Sequence, residues 1–491
     1  MTLVSRTPPS IWDASIIALT IGSILGVTLV AFQGLAVATI TPALTRDLDG
    51  EHLYGWVFNA FLIPQIIAGV AAGREVDRRP PWMVFYPALV FFAIGCLICG
   101  LASSMGVLFI GRALVGIGAG AMFSTVYAIV GGAYPDHLRA SMLAAMSSAW
   151  IVPSLIGPFI SGFVADTFHW RYVFLGLLPI LAIIWPLTWP SYRKVRFDNG
   201  DAGPQVGANR VSLAVLLASG TLLFLAGPDL DELAAIALDS ARLAPAWLGA
   251  AVTIAGVGII IPTLRRLLPE GTFALRPMLG SAVAHRALSF GAFAVVETYL
   301  VYSLTSFGAL TSSQAGLILT VGSLTWTAGS LLQARQDRIA GAGSRPRRVV
   351  LGSLLMLAGA GLITGTILFA QDIWWPIAAI GFASMGLGIG YGYTTSTTVA
   401  FASAPRGQDG MVSSSMLLGD LFTNSIGVGV GGFLLALTTD LDWSTPSSAG
   451  LSMSLGLLMI GTAFVAGQRM LAAMDGSRGL GHHVAQRSSA R

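Results

Sequence analysis

Two acidic residues stand inside apolar stretches of this sequence. Glu297 lies in LSFGAFAVVETYLVYSL and Asp420 in MVSSSMLLGDLFTNSIGVGVGG, each with apolar turns on both sides. A carboxylate taken out of water is strongly disfavoured in its charged form, so a proton readily discharges it. A group poised in this way can take a proton from one side of a barrier and release it to the other. A solute competing for the same charge couples its own movement to that of the proton. Asp420 and Asn424 are spaced i, i+4 and share a helix face. Arg112, in LFIGRALVGIGAGAMFSTVYAIV, is a third charge in an apolar run. At a bilayer centre it costs at least ~2.5 kcal/mol and needs a partner or water. Two static readings stand beside these: an ion pair between Asp420 and Arg112, or an Arg112 that snorkels to an interface. Cys96 and Cys99 form a CxxC inside an apolar run, without the further ligands a metal needs; packing accounts for them, and no metal is expected.

These residues must be positioned by elements that suit an oily chain. Of 491 residues, 54% are apolar and only 10% charged. Soluble domains carry roughly 25% charged residues, so this chain has too little charge to coat a water-facing surface. It reads as an all-α polytopic membrane protein. Fourteen apolar runs are long enough to be spans, by the rule that ~20 residues cross the hydrocarbon. They are 15–43, 54–72, 82–103, 106–131, 141–165, 172–190, 211–228, 245–264, 287–308, 314–333, 349–370, 374–400, 412–438 and 449–473. With the N-terminus inside, 23 of the 27 basic residues fall in inner segments and three in outer loops, which fixes the orientation and places both termini in the cytoplasm.

The pattern is six, two, six. Residues 11–192 form a first six-helix bundle, 193–275 a linker with two extra spans, and 276–475 a second bundle. Residues 476–491 read as a disordered cytoplasmic tail. RRLLPEGTFALRPMLGSAVAHR reads as an interfacial helix leading into the second bundle, with His285 and Arg286 at the water boundary. The loop after the second run holds Gly73 and then Asp77-Arg78; the matching loop of the second half holds Asp337-Arg338 after Gln333, at the same spacing. Paired halves of this kind place a solute site near the midplane between them.

These residues resemble the major facilitator superfamily, and within it the fourteen-helix drug:proton antiporters. Gly73, Asp77 and Arg78 match the family's gating-loop motif, although Pro80 replaces its second glycine. The resemblance implies that Asp77 caps a helix in the other half and that Arg78 pairs locally, with Asp337 and Arg338 as their counterparts. Arg112 followed by Gly116, Gly118 and Gly120 is similar to the family's helix 4 motif, where the arginine serves proton transfer or binding. Gly157-Pro158 and Gly162, with Pro153 one turn before, resemble the antiporter motif, a hinge; Ser161 replaces one of its glycines. HWRYVFLGLLPI is similar to another motif of the branch, with Leu177 in place of an asparagine. Gln33 stands where the branch carries an aspartate, and glutamine cannot titrate. Gln33, Trp326, Tyr391, Tyr393 and Asn424 are expected to line a solute cavity, because ring faces attract cations.

The expected activity is proton-coupled export of hydrophobic or cationic compounds by alternating access in a plasma membrane. No cofactor is expected; the proton gradient supplies the energy, and the chain lacks the GK[ST] motif of an ATP motor. The expected partners are a small-molecule substrate and the lipid bilayer, with no nucleic acid and a monomeric state. A lipid or metabolite exporter without proton antiport and a transporter-like sensor are the alternatives. A membrane-embedded enzyme is disfavoured, since only one histidine comes near a span.

Overall fold

The computed structural model describes residues 10–14, 16–76, 78–195, 206–231, 233, 246–308, 310–369, 374–405, 409–441 and 443–489. Among these there are α-helices and two single-turn 3₁₀ segments, and no strand. Hydrocarbon offers no partner to a backbone N–H, so a chain of this composition closes its hydrogen bonds within each helix. By contact the chain divides into two compact units, 1–263 with 310–320 and 264–309 with 321–491.

The first unit holds α1 (Ile17–Asp47), α2 (Tyr54–Val76), α3 (Trp82–Gly100), α4 (Met105–Ala133), α5 (Asp136–Ser148), α6 (Ile151–Thr167), α7 (Arg171–Leu175), α8 (Leu177–Tyr192) and α9 (Val206–Ala226). Most of α10 (Ala246–Leu267) and the first turns of α12 (Ser312–Ala340) also belong to it. The second unit holds α11 (Leu279–Ser306), the remainder of α12, α13 (Arg345–Phe369), α14 (Trp374–Ala402), α15 (Asp409–Asp440) and α16 (Thr445–Ser489). Over the described residues each of the fourteen apolar runs falls mainly on helix. Among the described residues eleven helical stretches are long and apolar enough to cross a membrane. The other three runs fall on Ile151–Thr167 and Arg210–Ala226, which are shorter, and on Trp374–Ala402, whose many Gly, Ser, Thr and Tyr residues dilute its hydropathy.

Three local expectations meet a different chain. The run at 141–165 is not one helix: α5 ends at Ser148 and α6 starts at Ile151, with Pro153 in its first turn, where a missing N–H is tolerated. Helix α16 continues through 476–489, where composition suggested a disordered tail, although Gly476, Gly479 and Gly481 carry poor helix propensity. No helix leads into the second bundle over 268–278. Pro269, Gly271 at φ +86° and Pro277 break it, and Leu275 and Met278 take positive φ as well, at 47° and 67°.

In the first unit α4 is clasped between α2 and α3. A Cβ at Gly116 would lie 2.2 Å from the Phe61 carbonyl and one at Gly120 2.3 Å from that of Gln65, both on α2. Gly118 faces α3, where a Cβ would lie 2.6 Å from the Ala88 carbonyl. The alternating glycines therefore let two neighbours approach one helix at backbone distance. At one rim Arg171 ties several ends together. Its Nη1 donates to Asp47 at the end of α1 (2.8 Å), its Nη2 to the Ala102 carbonyl beyond α3 (2.8 Å), and its guanidinium lies 4.5 Å over Trp170. Trp170 Nε1 also donates to Asp47, at 3.1 Å. On α9's side, Trp56 Nε1 donates to Asp229 at 2.7 Å, which places the middle helices with the first unit.

In the second unit α11 is the central helix, packed against α14, α15 and α16. His285 is buried, not interfacial: Nε2 bonds Ser353 Oγ of α13 at 2.9 Å and Nδ1 bonds Ser396 Oγ of α14 at 2.7 Å. One stripe of α11 stays partly accessible, formed by Arg286, Phe290, Ala294 and Glu297. Its i, i+4, i+8, i+11 spacing puts these residues on a single helix face.

Candidate functional site

The register of α15 on α11 builds the site. Thr423 Oγ1 donates to the Ala287 carbonyl at 2.6 Å, and Gly419 and Gly291 let the two helices close. Asp420, three residues before Thr423, is thereby brought to Arg286. The pair is tight: Arg286 Nη2 and Nε reach Asp420 Oδ2 at 2.7 and 3.2 Å. Tyr393 of α14 donates to the same oxygen at 2.9 Å, and Arg286 Nη1 donates to Thr397 Oγ1 at 2.5 Å. The guanidinium also lies 4.2 Å over the Tyr393 ring. Asp420 is 4% exposed, and its Oδ1 is buried with no hydrogen-bond partner among the described residues.

Beside this pair three rings meet. Phe290 stands 6.0 Å from Tyr393 and 6.5 Å from Trp326, and Trp326 stands 5.9 Å from Tyr393. Phe293 backs Trp326 at 5.0 Å. Aromatic faces beside a carboxylate can hold a flat or cationic solute. Further along the accessible stripe of α11 comes Glu297, partly buried and without a hydrogen bond or ion pair among the described residues. Asn424, a turn beyond Asp420 on α15, is partly accessible.

The structure thus gathers Asp420, Trp326 and Tyr393 and adds Arg286 and Phe290, which sequence reasoning did not assign. It separates Tyr391 from them: that side chain is buried and its hydroxyl donates to Gln336. Residues two apart on a helix point about 200° apart, so Tyr391 and Tyr393 face opposite ways. Asp420 has Arg286 as its ion-pair partner, not Arg112. Arg112 is buried in the first unit, where Nε donates to the Val57 carbonyl at 2.9 Å and the guanidinium lies 4.7 Å over Phe61. It does not snorkel; its Nη1 is buried and unpartnered among the described residues. Gln33 is 1% exposed, with both amide atoms equally unpartnered among those residues. A buried polar group without a partner costs about 1–3 kcal/mol, and the first unit carries this load at two residues singled out from sequence.

The gating-loop residues divide. Asp77 lies outside the described residues, Gly73 closes α2 with a Cβ position 3.1 Å from Ser124 Oγ, and Arg78 is exposed in the turn beyond. In the matching loop Asp337 binds locally, to Arg345 at 2.7 Å and Arg348 at 2.6 Å, while Arg338 is exposed. Asp337 therefore clamps the turn from α12 into α13.

The Gly157-Pro158 and Gly162 segment packs against α12. Gly157 faces Phe32 of α1, and Pro153 and Pro158 are buried. A Cβ at Gly162 would lie 2.5 Å from the Ser312 carbonyl, and one at Gly316 2.3 Å from that of Pro158. Asp166, just beyond the motif, accepts from the backbone N–H groups of Ser312 (3.1 Å) and Ser313 (2.8 Å) and from the Ser313 hydroxyl. Thr311 and Gln314 complete a reciprocal capping box at 3.0 and 3.3 Å. An acid 146 positions upstream thus caps α12. Replacing Asp166 by Ala should lower stability by about 1 kcal/mol, or up to ~2 for a charged cap at a helix dipole, read as a lower melting temperature of the purified protein. An unchanged melting temperature would mean that the capping box alone holds this helix start.

The family model described as Major Facilitator Superfamily matches residues 23–421. The chain belongs to the Major Facilitator Superfamily. A probable multidrug-efflux transporter of Mycobacterium tuberculosis is 26% identical over 365 residues, 74% of each chain. The multidrug transporter protein MdtP of Bacillus subtilis is 25% identical over 350 residues, covering 70% of this chain and 62% of that protein. Among solved structures, a POT family transporter in complex with a thioalcohol-conjugated peptide superposes with a TM-score of 0.67 at 14% identity, over 93% of this chain and 97% of that one. A D-xylose-proton symporter gives 0.62 at 16% identity, over 91% and 97%. At these identities the structures speak for the superfamily fold, and the sequence relatives for transport.

Proposed function

We propose that this superfamily member is a proton-coupled exporter of hydrophobic or cationic compounds, a multidrug efflux protein with fourteen spans and both termini in the cytoplasm of a cell with this chain in its plasma membrane. The observation that carries the reading is Asp420: buried, held through one oxygen by Arg286 and Tyr393, and unpartnered at the other, at the edge of the Phe290–Trp326–Tyr393 rings. A cation against the rings gains from their faces and from the carboxylate. A proton delivered to Oδ1 discharges Asp420 and weakens its hold on both Arg286 and the cation. Glu297 lies eleven residues from Arg286, about 16 Å along α11 at 1.5 Å per residue, on the same accessible stripe. It is the proposed relay for protons reaching the pair. The relatives' names, a probable multidrug-efflux transporter and a multidrug transporter protein, support the substrate class.

Gln33 favours one alternative, an exporter of a lipid or secreted metabolite without antiport, because the helix 1 proton carrier of the antiporter branch is absent. Inside-out vesicles under an imposed pH gradient distinguish the two. Cationic dye uptake should require the gradient, and Glu297→Gln should abolish gradient-driven uptake while leaving dye binding in place. Uptake by that variant at the unmodified rate would remove Glu297 from the mechanism. Gradient-independent export of lipid or metabolite by the unmodified protein would favour the alternative.

A further inference from the structure

The loop that replaces the expected lead-in helix is folded tightly against the end of α11. The Arg276 N–H donates to the Gly271 carbonyl at 2.9 Å, and Ser281 Oγ to the Leu275 carbonyl at 2.9 Å. Thr272 Oγ1 donates to the Pro269 carbonyl at 2.7 Å. The stem of Arg276 lies across Gly271, where a Cβ would meet it at 2.7 Å. Leu268 and Leu279 anchor both ends of the loop on the core around Val283, Val412 and Met470. Two non-glycine residues hold positive φ here, Leu275 and Met278, a strain that persists only where surroundings enforce it.

What this fold creates is a crevice of about 270 Å³ lined by Arg265, Leu268, Glu270, Gly271, Phe273 and Arg276. Arg265 and Arg276 stand on it, and neither guanidinium has a hydrogen-bond or ion-pair partner among the described residues. Arg266 adds a third exposed cation beside it, against the one carboxylate of Glu270. Phe273 and Met278 are exposed at 55% and 39%. The crevice sits where α10 ends and α11 begins, at the water boundary of two apolar helices. Cationic pockets between span ends bind phospholipid headgroups, and large apolar residues at that level rest among acyl chains.

We propose that this crevice is a binding site for the phosphate of an anionic membrane phospholipid, gripped by Arg265 and Arg276 with Phe273 against its acyl chains. A free phosphate offers the same charge but no partner for Phe273, so the occupant is the lipid. The site is independent of what the protein carries.

The test uses the full-length protein in nanodiscs of phosphatidylcholine containing phosphatidylglycerol, with retained lipid counted by native mass spectrometry. The unmodified protein should retain phosphatidylglycerol over phosphatidylcholine several-fold. Arg265→Gln with Arg276→Gln should remove that preference, whereas Arg335→Gln with Arg347→Gln, an exposed pair elsewhere, should keep it. Equal retention by the first pair and the unmodified protein overturns the proposal. So does displacement of the lipid by glycerol 1-phosphate at equal concentration, which would assign the site to free phosphate. If the double variant is recovered unfolded, a fluorophore on Ala274→Cys serves instead, since Cys96 and Cys99 are fully buried. Quenching by brominated phosphatidylglycerol but not by brominated phosphatidylcholine supports the site; equal quenching overturns it.

Discussion

Asp420→Asn should abolish gradient-driven transport and destabilise the protein by about 3–5 kcal/mol, the cost of leaving a buried charge without its partner. The cation left behind is Arg286, whose side chain is 15% exposed and which also touches the Thr397 hydroxyl and the Tyr393 ring. Removing both charges, with Arg286→Gln added, should recover most of that stability, because neutral replacements for a buried pair are often tolerated. It should not recover coupling, since no titrating group remains at that position. Melting of the purified variants and dye uptake into inside-out vesicles read the two effects separately. Normal uptake by Asp420→Asn alone would reject Asp420 as the coupling acid, whatever its structural value.

The second large effect is expected in the first unit, from packing. Gly116→Val places a Cβ 2.2 Å from the Phe61 carbonyl and 3.0 Å from its carbon, both backbone atoms that cannot swing away. Helices α2 and α4 must separate, and the Arg112 bond to the Val57 carbonyl goes with them. The loss should reach at least about 3 kcal/mol, the upper range for overpacking a core, and appear as aggregated protein on gel filtration. Gly131→Ala is the control on the same helix. Nothing lies within 4 Å of its Cβ position, so it should be neutral or stabilising by up to ~1 kcal/mol. A monodisperse, fully active Gly116→Val would show that the motif glycines are not packing residues.

The helices were legible because hydrocarbon leaves the backbone no other hydrogen-bonding solution, so apolar run length nearly determines the element. The acids were legible for the related reason that charge is costly there. Their partners were not. Arg286 precedes Asp420 by 134 residues, and no periodicity tells which helices become neighbours; that is decided by Thr423, Gly419 and Gly291 at the α11–α15 contact. His285 and Arg286 read as boundary residues because an interfacial helix was assumed to precede them. Yet Pro269, Gly271 and Pro277 already argued against that helix. The opposite facing of Tyr391 and Tyr393 could also have been read from helical period alone. Asp166 carried no signal by itself, since a lone acid at a helix end looks solvated; its meaning appears only beside Ser312 and Ser313.

The Arg171 contacts bear on how the protein is made. Asp47 and the Ala102 carbonyl leave the ribosome long before the arginine that joins them. At about 5–20 residues per second, the 124 residues from Asp47 to Arg171 take on the order of ten seconds to synthesise. For that interval the helix ends near Asp47 and Ala102 lack the bonds that Arg171 supplies. Slow stretches of translation placed before codon 171 would lengthen this exposed period, and faster synthesis there would shorten it.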